Sequence, residues 1–194
     1  SVNEFAPYRF GIENLFRLNK HILDTDKETL ISYYTRLSSS LSEIYSELST
    51  ADINFPDVTM VDGSQVKATY GNYNRILATD KNQNDREKIY KAHYETFRTN
   101  RNSYASIYNA VCQSDWANAI ARDYKSCLES SLDANNIPTA VYDNLINTVR
   151  ENTAPLQRYH NLRKKILGLD HYFPYDQFIS LSENSTLYPF NEAK

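Results

Sequence analysis

Apolar residues recur three and four positions apart over most of this chain, and that spacing commits it to packed helices. In TDKETLISYYTRLSSSLSEIYSELST, Leu30, Tyr34, Leu37, Leu41, Ile44, Tyr45 and Leu48 share one side of a helix. Thr25 followed by Glu28 has the form of a capping box and sets the expected start. From Asn82 the period returns, along a seam of Tyr90, Tyr94, Phe97, Arg101, Tyr104, Tyr108 and Val111. A second run, Ala117, Ile120, Ala121, Tyr124, Cys127, Leu128 and Leu132, shifts the apolar face, which implies a bend between Gln113 and Asp115. The run closes in the turn-like DANN. Pro138 suits the first turn of the next helix, whose inner face is Val141, Tyr142, Leu145, Ile146 and Val149. ENTAP leads to a last helix with a buried stripe of Leu156, Tyr159, Leu162, Ile166 and Leu167, closed by Gly168 as a left-handed cap. Four glycines and six prolines in 194 residues leave room for such long helices.

One segment departs from this pattern. DVTMVDGSQVKATY offers two short β-prone runs around Asp62-Gly63, a pair that tolerates the positive φ of a tight turn. A β-hairpin is expected over about 57–70, inside an otherwise mainly α, multi-helical chain. The sixteen tyrosines fit wide helix seams, each with its hydroxyl reaching water or a neighbour.

The stretch RYHNLRKKILGLD gathers Arg158, His160, Arg163, Lys164 and Lys165. These lie mostly off the apolar stripe and in the last turns of a helix, where the backbone dipole favours positive charge. With 21 basic against 24 acidic residues the net charge is -3, so no chain-wide basic field backs a nucleic-acid surface. No run of about 18 apolar residues offers a membrane span, and no basic start with an apolar core marks a secretory signal. Cys112 and Cys127, fifteen residues apart, read as unpaired core fillers, which points to a reducing cytoplasm. After Asp170 two prolines and a lost period suggest an extended connector. It contains the tripeptide Asn184-Ser185-Thr186, a glycosylation acceptor only if the chain is secreted.

No catalytic constellation emerges from the residues. A zinc peptidase helix needs two histidines one turn apart beside a glutamate, and His21, His93, His160 and His171 supply no such pair. His93 falls beside the aromatic seam and is expected to be a satisfied structural residue. The glycines are too scattered for a phosphate loop, no serine is flanked as a nucleophile elbow, and the cysteines lack redox spacing. No catalytic and no metal-binding residue is nominated.

The ordered segments do resemble a known family. FRLNKHILDTDKETL, LSTADINFPDVTMVDGSQVKATYGNYNRIL, TDKNQNDREKIYKAHYETF, IARDYKSCLESSLDANNIPTAVYDNLI and LQRYHNLRKKILGLDHYFPYD are similar, in order and spacing, to the oligoendopeptidase F family of zinc metallopeptidases, relatives of thimet oligopeptidase. The likeness runs from Phe5 to Leu181. It implies a helical domain over 1–181 that walls a substrate channel and precedes a catalytic domain, with 182–194 as a connector toward it. It implies short peptides as substrates, cleaved by zinc-bound water with the glutamate of H-E-x-x-H as general base. That motif is absent from these 194 residues, so the zinc is expected in the longer parent and none in this chain. The expected partners are the catalytic domain of the same full-length chain and short peptides, with no nucleic acid and no membrane. The hairpin, with Tyr70 and Tyr73, supplies the candidates for peptide contact. The alternative is a freestanding helical binding or scaffold domain without enzymatic activity.

Overall fold

A computed structural model describes residues 2–181. A 3₁₀ turn, Val2–Tyr8, opens into α1 (Arg9–Leu18) and then α2 (Thr25–Ser46), which runs on into one π turn, Glu47–Ala51. The strands β1 (Asp57–Thr59) and β2 (Gln65–Lys67) follow, then α3 (Tyr70–Thr79) and α4 (Gln83–Thr99). The rest is helical: α5 (Arg101–Ala121), α6 (Cys127–Asp133), α7 (Thr139–Glu151) and α8 (Ala154–Ile166), then a 3₁₀ turn at Pro174–Asp176. The chain is thus mainly α with one two-stranded sheet. It divides into two units, one of residues 1–53 and 100–152, the other of 54–99 and 153–194.

In the first unit α2 packs on α5. Asp24, one residue before the expected cap, holds the helix start: its carboxylate accepts from the Lys27 amide at 3.0 Å. Glu28 lies one residue too far along to complete a capping box with it. It accepts instead from the Leu23 amide at 3.0 Å and takes the Arg122 guanidinium in a fork, at 2.6 and 2.8 Å. That fork and the Leu23 amide hold the Glu28 carboxyl down at about 2, against 4.5 when free. Because the folded value is the lower one, the pair stabilises fully above about pH 4.5 and its contribution fades as pH falls toward 2. Glu28→Gln should therefore flatten the acid limb of stability between those values. Acid titration by circular dichroism, variant against parent, checks it, and coincident curves would refute it.

The helix expected to run on from Asn82 with a bend near Gln113 is two helices. The break falls at Asn100 (φ -104°, ψ 18°), and α5 is continuous through 113–115. The seam of aromatics is therefore divided: Tyr90, Tyr94 and Phe97 belong to one unit, Tyr104 and Tyr108 to the other. The run into DANN is also interrupted, where Asp123 takes φ 60° and Ser126 recaps α6 through the Glu129 amide. Cys112 and Cys127 are exposed free thiols and not core fillers. The face expected to be inner on α7 is open too, with Val141, Leu145 and Val149 55–59% exposed.

The second unit carries a dense core. β1 and β2 pair antiparallel, with Val58 opposite Val66. Gly63 at φ 85° and an Asp62 carboxylate accepting from the Ser64 amide at 2.9 Å make the turn. The hairpin closes at Lys67. Tyr70, expected at its end, instead opens α3, which Thr69 caps through the Asn72 amide. Val58, Met60, Ala68, Ile76, Leu77 and Ile89 are buried between the hairpin, α3 and α4.

Two expectations for α8 are reversed. Leu156, Tyr159, Leu162 and Ile166 are exposed, and Arg163, assigned to the solvated face, is buried. Arg163 is held inward by the segment after Gly168, which folds back where an extended connector was expected. Its Asp176 and Ile179 carbonyls and the Tyr172 hydroxyl accept from the Arg163 guanidinium. A carbonyl-rich lining of this kind satisfies a buried cation, which an apolar stripe would not. Gly168 is the expected left-handed cap, at φ 64°. The proposed connector 182–194 and the Asn184 tripeptide lie outside the described residues.

Candidate functional site

The two tyrosines nominated for peptide contact stand on α3, one turn apart, over a cluster of rings. Thr69 fixes the start of α3 and so the direction of Tyr70 and Tyr73. The opposing wall is α4, which turns Tyr90, His93, Tyr94 and Phe97 toward them, at the helical spacing of three and four. His93 is the hub. It is buried, its Nδ1 lies 2.8 Å from the Ala68 carbonyl, and its ring is stacked between Tyr73 at 4.4 Å and Phe55 at 5.2 Å. A carbonyl only accepts, so Nδ1 carries the proton. This is the satisfied structural histidine expected from the sequence.

Tyr73 is held within the cluster. Burial pushes its phenol above the usual range, and the Tyr94 hydroxyl and neighbouring Tyr90 push it further, so it stays protonated. Tyr70 meets Phe55, His93 and Phe97 edge-on yet is 51% exposed, and Tyr94 is 50% exposed. The pair is thus unequal: Tyr70 forms a rim and Tyr73 its support. A rim of neutral rings and phenol hydroxyls can stack on and hydrogen-bond to a peptide.

Behind the rim lies a buried ion pair. Asp176 accepts from Arg86 Nη2 at 2.6 Å, from Gln83 at 2.8 Å and from the Phe173 amide at 2.9 Å. Arg86 also donates to the Asp80 carbonyl at 2.8 Å. Sequence reasoning passed over both residues. The helical period contained a signal, since Arg86, Ile89 and His93 step along one face of α4 and all three are buried.

The basic stretch of α8 does not form one surface. Arg163 points inward, whereas His160 and Lys164 line an open cavity of about 720 Å³ with His171 and Tyr172. His160 Nδ1 lies 3.4 Å from the Tyr172 hydroxyl. Among the described residues no three side chains of His, Cys, Asp or Glu come together as a metal site, and no helix is long and apolar enough to cross a membrane.

Comparison with known proteins agrees with the fold. The chain is 32% identical over 192 residues to oligopeptidase PepF of Bacillus subtilis, covering 98% of this chain and 28% of that protein. It is 31% identical to group B oligopeptidase PepB of Streptococcus agalactiae, covering 98% of this chain and 31% of the relative. The crystal structure of oligoendopeptidase-F from Enterococcus faecium superposes with a TM-score of 0.84 at 27% identity, over 95% of this chain and 35% of that one. This chain therefore spans about three tenths of the length of the relatives it matches. The sequence model of oligopeptidase F matches residues 1–55, and that of peptidase family M3 matches 76–194. With more than half its residues inside the second match, the chain belongs to peptidase family M3, in the oligopeptidase F branch.

Proposed function

We propose that this chain is a non-catalytic helical portion of an oligoendopeptidase F-like zinc metallopeptidase that hydrolyses short peptides. One observation carries the reading: nearly the whole chain aligns with proteins named as oligopeptidases, yet accounts for only 28–31% of PepF and PepB. In this reading 1–181 is a domain that walls the substrate channel, 182–194 leads toward a catalytic domain, and that domain is its partner. The described side chains do not fit a zinc ion, since no three ligands converge, so zinc and the groups that activate water are assigned to other parts of the longer polypeptide. The chain's own contribution is shape. Tyr70 is offered as a peptide contact at the rim and Tyr73 as the ring that steadies it. Two free thiols favour the cytoplasm as its compartment.

The chain alone, incubated with zinc and an internally quenched oligopeptide, should turn over no faster than buffer. Metal-dependent hydrolysis above that background, abolished by a chelator, would overturn the assignment.

A further inference from the structure

The two units differ sharply in what they bury. Among the described residues, the unit of 1–53 and 100–152 buries only Ser49 and Ala119, whereas the other unit buries fourteen residues. Its helices are nonetheless amphipathic. On α7, Val141, Leu145 and Val149 recur every four residues and are 55–59% exposed; on α1, Leu15 and Phe16 are each 67% exposed. Polar pairs do tie these helices into place. Arg17 of α1 bonds Asp133 at the end of α6, and Glu28 holds Arg122. These pairs are part-buried, with side chains 16–33% exposed. Such pairs fix geometry more than they replace a core, since folded helices draw most of their stability from a packed apolar face. A unit with native connections, half-covered seams such as that of α2 on α5, and almost no fully buried apolar side chain resembles one half of an interior.

We infer that this unit is conditionally folded: its helices, α7 foremost, reach a fixed packed state only when the remaining polypeptide of an oligopeptidase F chain docks on their apolar stripes. The second unit holds its structure unaided. The occupant is set by length and by chemistry. Most of each relative's polypeptide lies outside the matched region. The α7 stripe is aliphatic and unbranched by charge, which suits a protein interior and offers nothing to an anionic surface. The inference rests on the proposed oligopeptidase reading for its occupant, but the conditional folding stands on burial alone.

Amide hydrogen exchange followed by mass spectrometry tests it. In the 194-residue chain, amides of α7 should exchange roughly 100-fold faster than those of α3 and α4, because opening costs least where least is buried. In B. subtilis PepF with its matched region replaced by this chain, α7 should slow to the level of α4. Leu145→Glu in that chimera should restore fast exchange in α7 and leave α3 and α4 unchanged. Equal protection of α7 and α4 in the monomeric chain would overturn the inference. So would protection that rises with concentration alongside a dimer in sedimentation, since a second copy would then be the occupant. A chimera in which α7 still exchanges fast would also overturn it. Peptide hydrolysis by the same chimera separates the two ideas. Protection without hydrolysis would count against the peptidase assignment alone, and hydrolysis by a chimera whose α7 was already protected in isolation would count against conditional folding alone.

Discussion

Asp176→Asn is expected to destabilise the second unit by ~3–5 kcal/mol, the usual cost of breaking a buried ion pair by removing one partner. Asp176 is fully buried and Arg86 is 1% exposed. Every group that reaches this carboxylate is a donor: two guanidinium nitrogens, the Gln83 amide and the Phe173 backbone N–H. A carboxylate meets four donors with lone pairs alone. Asparagine must turn its own NH₂ toward some of them and leaves the Arg86 charge without compensation. The loss should be read from urea midpoints, using exchange of α4 amides to follow this unit specifically. The double variant Arg86→Met/Asp176→Leu should recover part of the loss, because it removes the uncompensated charge while the Phe173 amide, Gln83 and the Asp80 carbonyl still lose a partner. A single-variant loss under ~1 kcal/mol would mean that the pair is hydrated and the site is not dry.

Helix existence was legible in the sequence because period is a local property. So was the turn at Asp62-Gly63, since only a few residue pairs tolerate its backbone. Boundaries were less so. Asn100 has no side-chain cap and follows an unbroken aromatic period, so nothing local announced that α4 and α5 are separate helices. The burial of Arg163 was invisible for a different reason. Its partners are backbone carbonyls in a segment without periodicity, and carbonyls have no sequence signature. The candidate site was half legible. Tyr70 and Tyr73 are nominated through the family likeness, and Tyr90, Tyr94 and Phe97 show only as a helical seam. Their convergence on His93 depends on Phe55 and the Ala68 carbonyl, which no helical pattern marks. Family likeness carried the functional reading, because residue type and spacing nominate no catalytic or metal-binding residue.

The largest gap between period and packing yields the second prediction. Ile89 and Leu145 are both aliphatic residues on amphipathic helices, but only Leu145 lies on a face that the sequence period marked as inner. In the structure Ile89 is fully buried and Leu145 is 58% exposed. Ile89→Ala should therefore cost ~2–5 kcal/mol, the sum of lost transfer energy and the cavity left behind among Val58, Met60, Ile76 and Leu77. Leu145→Ala in the same chain should stay within ~0.5 kcal/mol, as surface substitutions do, despite removing as many methyl groups. Urea unfolding by circular dichroism, under identical conditions, compares them directly. Comparable losses would show that α7 is packed in the isolated chain and that its apolar face already has a cover. A loss confined to Ile89→Ala would show that a helical period records where a face is meant to be covered, and that the cover can lie outside the stretch of sequence in which the period is read.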